Sequence, residues 1–256
     1  LGAVLCGAGV EQIDQVRMTA FRSIKTEALV MGSMRLGDAD RIVRLYTRER
    51  GRVSAVAKGV RRALSRIGGR LEPFSVVHVV LHPGRSLYTV TGVETIRAMA
   101  EMREALFRIE AGGRLMEAAS RLLAGEESNP GAFNLLVRTV GRLARAQDAA
   151  EAQLVEVSSV AKLILLQGFA PELTCCVSCG RETDLVAFSP GDGGAVCGAC
   201  LSSSAPHGRE AGGECLHAFR TLLECPLGEL PRDLLEEELV MQVGRLARHI
   251  IREHAM

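Results

Sequence analysis

Two pairs of cysteines carry the most specific chemical pattern in this 256-residue chain. Two residues separate Cys176 from Cys179 and Cys197 from Cys200, and seventeen residues separate the two pairs. This spacing is typical of four-cysteine zinc sites, in which each pair supplies two thiolates to one tetrahedral ion. Because four thiolates complete the coordination sphere and leave no position for an activated water, we predict a single structural Zn²⁺.

The residues near these pairs bear on which thiols bind the ion. Cys175 is adjacent to the first pair and is an alternative ligand, although Cys176 gives the expected spacing. Gly180 and Gly198 suit tight turns around sulfur, and Gly191–Gly194 suits the hairpin of a zinc ribbon. A redox role would need a single pair beside a βαβ unit, which the pattern does not predict. The sequence shows no export signal, so we expect a reducing compartment rather than disulfides. The cysteines without partner spacing are Cys6, Cys215 and Cys225.

Charge is distributed unevenly along the chain, although 31 basic and 30 acidic residues give a net charge of only +1. Residues 20–97 contain fifteen basic and six acidic residues, a net charge of +9, whereas residues 98–256 contain fifteen and twenty-two, a net charge of −7. A coding bias towards arginine explains 28 Arg against three Lys, but it does not explain the acidic remainder. The asymmetry therefore favours a nucleic-acid surface in the first part.

The elements that must position the basic residues are short strands. Alternating apolar and polar residues predict five strands, and Gly or Pro turns separate several of them: 22–34, 41–47, 52–57, 74–82 and 87–96. We expect a five-stranded OB-fold barrel, although periodicity alone does not separate it from an SH3-like barrel. Aromatic residues are scarce in this module: Phe21, Tyr46, Phe74 and Tyr88. Binding should therefore depend on phosphate contacts, with little base readout.

Helical periodicity replaces the strand pattern after residue 97. We predict helices over about 101–123, from the Asn129 cap onwards, from the Asp148 cap to Gly168, and over 214–223 and 233–253. The expected fold is α+β and multi-domain, with these divisions: a flexible extension (1–19, with Met18 as a plausible start), the barrel (20–97), a helical domain (98–171), a zinc ribbon (172–204) and C-terminal helices (205–256). No apolar stretch approaches a membrane span, and we expect a cytoplasmic protein.

Sequence signatures of common enzymes are absent. The chain contains no Gly-x-x-x-x-Gly-Lys-Ser/Thr loop, no Gly-x-Gly-x-x-Gly after a strand, no His-Glu-x-x-His and no Gly-x-Ser-x-Gly. We therefore do not predict an enzyme. Two alternatives remain: a zinc-stabilised protein-interaction scaffold whose basic barrel is incidental, and a zinc-dependent nucleic-acid enzyme, which the closed four-thiolate sphere disfavours.

Five runs of residues resemble the RecO family of bacterial DNA repair proteins: Lys25–Val30, Gly37–Val43, Thr47–Gly51, Ala57–Arg62 and Leu71–Phe74. The helical part and the cysteine quartet are similar to the zinc-bearing branch of that family. The resemblance implies an OB-fold domain, an all-helical domain with a four-cysteine zinc-ribbon insertion, and no catalytic site.

The same resemblance implies a function. It implies a recombination mediator that binds single- and double-stranded DNA, anneals complementary strands, and works with RecR so that RecA replaces single-strand-binding protein. The protein would be associated with the nucleoid during repair. The family's DNA-contacting positions correspond to these residues: Arg35, Arg41, Lys58, Arg61, Arg62 and Arg66.

Overall fold

The computed structural model describes residues 23–62, 65, 67–203, 212–230 and 236–254. The predicted N-terminal extension (1–19) and the proposed start at Met18 lie outside the described residues, as does Arg66. Elements are numbered in chain order below.

The first part of the chain forms a closed five-stranded barrel. Its strands are β1 (Ile24–Leu36), β2 (Asp40–Thr47), β3 (Gly51–Ala57), β4 (Val76–His82) and β5 (Tyr88–Arg97). Their order around the barrel is β1-β2-β3-β5-β4, and all neighbours are antiparallel except β3 and β5. This arrangement confirms the OB-fold prediction, and the strand limits differ from the predicted ones by one or two residues.

Alternation along the strands produces two faces with different neighbours. Residues such as Val43, Leu45 and Val53 point into the barrel and form its core. The long strand β1 pairs with β4 over its first half and with β2 over its second half, with a register shift between Val30 and Gly32. Strand β1 therefore contributes to the outer surface of the barrel both beside β4 and beside β2.

One side of that outer surface is buried against the helices. The side chains that make this contact are Leu29, Met31, Tyr46, Phe74 and Val76, and they belong to the same apolar cluster as the helical core. Tyr46 and Phe74 are thus core residues of an interface rather than surfaces for stacking bases. Burial raises the pKa of the Tyr46 hydroxyl to about 12.

The second part of the chain is helical. Its helices are α1 (Leu106–Leu122), α2 (Pro130–Leu143), α3 (Ala149–Leu166), the short α4 (Gly198–Ser203), α5 (Gly213–Glu224) and α6 (Glu237–His254). Helix α4 belongs to the ribbon described below. The Asn129 and Asp148 side chains accept hydrogen bonds from the first turns of α2 and α3, as the sequence predicts. The predicted first helix is too long at its start, because residues 100–103 form a separate 3₁₀ turn. Helix α3 is central and packs against α1, α2, α5 and α6.

A glycine in α1 permits the contact between barrel and helices. The Phe74 ring lies so close to Gly112 that a Cβ at that position would be 2.7 Å from ring atom Cε1. Phe74 itself has a φ of 73°, a conformation that a bulky residue adopts only when its surroundings enforce it. The ring and the glycine therefore fit each other, and the two parts of the chain share one core.

We expect Gly112→Ala to destabilise the protein by about 1–3 kcal/mol relative to Gly113→Ala, because the added methyl group overpacks the Phe74 site. Gly113 is the matched control: it is the next residue of α1, and no atom lies within 4 Å of its hypothetical Cβ. Both changes raise helix propensity equally. Urea denaturation of the two variants measures the difference, and equal stability would contradict the assignment of this contact.

Candidate metal centre and basic end of the barrel

The four cysteines of the quartet meet at one point. The strands β6 (Leu185–Ser189) and β7 (Gly194–Cys197) form a hairpin, and α4 (Gly198–Ser203) follows it directly. Cys176 and Cys179 lie in the turn that precedes the hairpin, Cys197 ends β7, and Cys200 lies in α4. The Sγ atoms of all four lie within 4.8 Å of one another.

The separations of these sulfur atoms fit a tetrahedral metal ion. The Cys179 and Cys197 Sγ atoms are 3.7 Å apart. A tetrahedron with Zn–S bonds of about 2.3 Å has sulfur–sulfur edges of about 3.8 Å. The donor set and its size therefore match a four-thiolate centre. Cys175, the alternative ligand, is not part of this group among the described residues.

Backbone hydrogen bonds hold the first cysteine pair in place. The Gly180 N–H donates to the Cys176 carbonyl (2.8 Å), and the Cys176 N–H donates to the Arg181 carbonyl (2.7 Å). Gly180 has a φ of 75°, which only glycine adopts without strain. The Val177 N–H donates to the Ala195 carbonyl (2.9 Å) and so joins this turn to β7. These bonds align the turn with the hairpin.

The thiols influence one another strongly. Hydrogen bonding by the Cys197 backbone lowers the pKa of the Cys176 thiol to about 6. Hydrogen bonds with the thiols of Cys179 and Cys197 raise the pKa of Cys200 to about 12, because those bonds favour its protonated form. Four adjacent thiolates would repel one another, and a cation among them removes that repulsion. The arrangement can therefore hold a metal ion.

The ribbon also contributes to the core of the helical part. Phe188 of β6 and Ala195 of β7 are buried in the same apolar cluster as α3, α5 and α6. The Glu172 backbone bonds with residues at the start of β7, through the Gly193 carbonyl (3.0 Å) and the Ala195 N–H (2.7 Å). Loosening of the cysteine turn would therefore disturb residues well beyond the metal centre.

Five of the six predicted DNA-contacting residues lie at one end of the barrel. Arg35 is near the end of β1 and is opposite Arg41, which is at the start of β2 and is itself opposite Ala57, the last residue of β3. The remaining three cations, Lys58, Arg61 and Arg62, directly follow β3. We call these five residues the basic end.

Two residues of the basic end also have structural partners. Arg61 donates from Nη1 to the carbonyl oxygens of Gly37 (3.2 Å) and Asp38 (2.9 Å), and thus holds the turn between β1 and β2. Arg41 pairs with Glu72 at 3.2 Å. Arg35, Lys58 and Arg62 are exposed, and no ion pair joins them to any residue in the described part of the chain. These three are the cations most available to phosphate.

The charge count overstated the number of available cations. Arg48 pairs with Glu27 (2.6 Å) and lies over the Phe133 ring, 4.6 Å from its centroid. Arg52 donates to the Ser120 carbonyl, and Arg70 donates to the Val93 carbonyl (2.7 Å). These arginines join structural elements to one another, which a count of charges along the chain cannot reveal.

Two further exposed cations did not figure in the predicted set. Arg85 lies in the loop between β4 and β5, and the parallel pairing of β3 with β5 directs this loop towards the start of β3, at the other end of the barrel from the basic end. Arg44 is exposed on the outer face of β2, with its guanidinium over Gly32. The alternation of β2 indicates an outward Arg44, because Val43 and Leu45 point inward. Only the strand order reveals the position of Arg85.

Aromatic side chains offer little ring surface on the described part of the barrel. Tyr46 and Phe74 are buried, and Tyr88 is half-buried against the barrel core, with its hydroxyl donating to Glu126 Oε2 at 2.9 Å. Burial, followed by the bond to Glu126, raises the pKa of Tyr88. Phe21, the fourth aromatic residue of the predicted module, lies outside the described residues.

A membrane-spanning role finds no support in the described helices: none of them is both long and apolar enough to cross a bilayer. The fold and the site define a class of protein, in which an OB-fold barrel with a cationic end packs on a helical body that carries a four-cysteine centre.

Comparison with known proteins makes this class specific. Residues 18–99 match the family model described as "Recombination protein O N terminal", and residues 103–255 match "Recombination protein O C terminal". A relative from Rubrobacter xylanophilus, named "DNA repair protein RecO", is 36% identical over 223 residues, or 86% of this chain and 89% of the relative. A protein of the same name from a Nocardioides species is 40% identical over 181 residues, or 69% and 73%. The chain belongs to the RecO family of DNA repair proteins.

We expect Cys179→Ser to reduce bound metal and to lower the melting temperature by roughly 10 °C, because the lost ion contributes folding free energy. Cys175→Ser is the matched control, since it removes a neighbouring thiol outside the cluster, and it should retain the wild-type metal content. Metal analysis and thermal unfolding measure both effects. Equal metal content in the two variants would contradict this assignment of ligands.

Proposed function

We propose that this protein is a recombination mediator that binds DNA through the basic end of its barrel and anneals complementary strands. The observation that carries the proposal is the convergence of five predicted cations at one end of an OB-fold, three of them exposed and without a side-chain hydrogen bond or ion pair to any described residue. Membership of the RecO family supports the DNA repair context. Arg44, exposed on the outer face of β2, lies beside this end of the barrel.

The proposed binding mode is contact with phosphates. Guanidinium and ammonium groups bind phosphate without reading the base sequence, and they serve both single- and double-stranded DNA. An annealing protein must hold two backbones while it leaves base edges free to pair. A surface rich in arginine and poor in exposed aromatic rings meets this requirement, because base stacking on rings would compete with pairing.

We further propose RecR and single-strand-binding protein as partners, with RecA loading as the outcome. These proposals depend on the family to which the chain belongs. In this role the protein acts at the nucleoid and changes the arrangement of DNA without breaking covalent bonds. Hydrolysis of nucleic acid by the purified chain would overturn this non-enzymatic assignment.

We propose Zn²⁺ as the ion of the four-cysteine centre. Sulfur ligands in a closed tetrahedron select zinc among the common divalent ions, and iron bound by four thiolates is the alternative that metal analysis distinguishes. Cys176, Cys179, Cys197 and Cys200 would hold the ion, which stabilises the ribbon and takes no part in chemistry. The proposed divisions of the chain are those given above, with the ribbon at 172–204 between helical domain and C-terminal helices.

A protein-interaction role is the second candidate, and one groove favours it. The groove lies between α1, α3 and α6, has a volume of about 280 Å³, and has Val157, Val160 and Ile251 among its apolar lining. Its rim has four arginines: Arg114, Arg121, Arg248 and Arg252. Glu156 and Glu117 pair with the first two. This role is compatible with DNA binding by the barrel, but a pure scaffold would not retain DNA at any salt concentration.

We expect single-strand affinity to fall with salt at a logarithmic slope of about −0.7 for each neutralised phosphate. Replacing Lys58 and Arg62 together by Gln should weaken binding at low salt and make that slope shallower by about 1.4. Arg138→Gln is the control for loss of a cation elsewhere, because Arg138 is exposed on α2, away from the basic end. Filter binding across a salt series tests both. An unchanged slope in the double variant would contradict the proposed interface.

The proposed activity is tested by annealing of complementary strands coated with single-strand-binding protein, in the presence and absence of RecR. The wild-type chain should accelerate annealing, and the Lys58/Arg62 variant should lose most of that acceleration while the Arg138 control retains it. If the chain binds DNA without accelerating annealing, the proposed DNA binding stands and the proposed annealing activity is refuted.

A further inference from the structure

An aliphatic strip lies on the outer face of the barrel, on the side that the helices do not cover. Met34 of β1, Ile42 of β2 and Val56 of β3 are directly opposite one another in the strand register, so their side chains share one face. Leu36, two residues beyond Met34, extends the same face. We call these four residues the aliphatic strip.

The strip is exposed to an unusual degree for adjacent apolar residues. Met34 is 61% exposed and Leu36 is 39% exposed, while Ile42 and Val56 are half-buried. The neighbouring residues Val43 and Ala55 point into the barrel core, which confirms that the strip points away from it. Scattered apolar residues on a surface are ordinary, but a contiguous row across three strands marks a binding surface.

Cations border the strip on two sides. Arg44 lies two residues from Ile42 along β2 and is opposite Ser54. Lys58 lies four residues beyond Ser54, so the backbone positions of Arg44 and Lys58 are separated by about 13 Å along the strand direction. Arg35, between Met34 and Leu36 in β1, points to the opposite face of the strand, at the basic end, so Arg44 and Lys58 are the cations that border the strip. The acid closest in register is Asp40, opposite Leu36, and its carboxylate accepts the Gly59 N–H at 2.8 Å.

We infer that the aliphatic strip contacts the faces of unpaired bases while the bordering cations contact the phosphates. An apolar row between cations is complementary to a polyanion with flat apolar groups, which is the chemistry of single-stranded nucleic acid. This inference rests on the proposed function, and it adds a base-contacting surface that the phosphate contacts do not provide.

The strip gives a barrel with few exposed aromatic rings a means of distinguishing single strands from duplexes. Bases in a duplex are paired and stacked, so their faces cannot contact Met34 or Leu36. Phosphate contacts persist in both forms. Aliphatic contacts are weaker than ring stacking, so bases can leave the strip when they pair. Each pairing event then removes a protein contact, and the duplex is released more readily than the strands.

The test compares an oligodeoxythymidylate with an abasic strand of the same length, which has the same phosphates but no bases. The wild-type chain should bind the thymidylate about tenfold more tightly than the abasic strand. This factor is near the lower end of the gain in affinity that base stacking on aromatic rings produces. Met34→Gln with Leu36→Gln should abolish this preference and leave abasic and duplex binding unchanged. Its salt slope should match that of the wild type, because no cation is removed.

The matched control is Ile96→Gln. Ile96 is exposed to the same extent as Leu36 (39%) and belongs to β5, outside the strip, so its replacement should retain the preference for bases. Met34→Trp is a second variant, and it tests for a gain of affinity rather than a loss. The added ring should tighten thymidylate binding, leave abasic binding unchanged, and slow annealing. Thermal unfolding confirms that each variant folds.

Two results would overturn the inference while leaving the proposed function intact. One is equal wild-type affinity for the thymidylate and the abasic strand. The other is an unchanged base preference in the Met34/Leu36 variant accompanied by a changed oligomeric state, which would assign the strip to a second copy of the chain. Absence of any DNA binding by the wild type would instead refute the proposed function itself.

Discussion

The burial of one outer side of the barrel against the helices is the contact on which the rest of the structure depends. It joins the two parts through Phe74, whose ring fits against Gly112 in α1. The same contact takes Tyr46 out of solvent, while Met34 and Leu36 on the uncovered part of the barrel remain exposed. Because Tyr46 and Phe74 are used in this interface, the proposed DNA binding depends on cations and exposed aliphatic side chains.

The cations of the barrel fall into two groups: some join structural elements, and others remain exposed. Arg48 and Arg52 connect the barrel to the helices, whereas Arg35, Lys58 and Arg62 remain exposed at the basic end. The near-zero net charge therefore conceals both a local cationic surface and a set of internal ties. For the proposed binding of two DNA strands, a local surface is sufficient, because screening limits the effect of distant acids to about 8 Å in physiological salt.

The cysteine centre is connected to distant parts of the protein through the packing of apolar side chains. Its hairpin delivers Phe188 and Ala195 to the helical core, which also contains the side chains that contact the barrel. Metal binding, helical packing and the attachment of the barrel are therefore connected through one apolar cluster. The proposed structural ion would therefore influence the proposed DNA-binding surface, because it would stabilise the body that holds the barrel.

Local patterns in the sequence determined most elements: strand alternation, the Asn129 and Asp148 caps, and the cysteine spacing each depend on residues close together in the chain. The order of the strands, and with it the convergence of Arg35, Arg41 and Lys58, agrees with the family resemblance but could not follow from periodicity. Tertiary structure alone decided which cations are free, where Arg85 lies, and which face of the barrel is covered. Those outcomes depend on contacts between distant residues, and a short-range pattern contains no information about them.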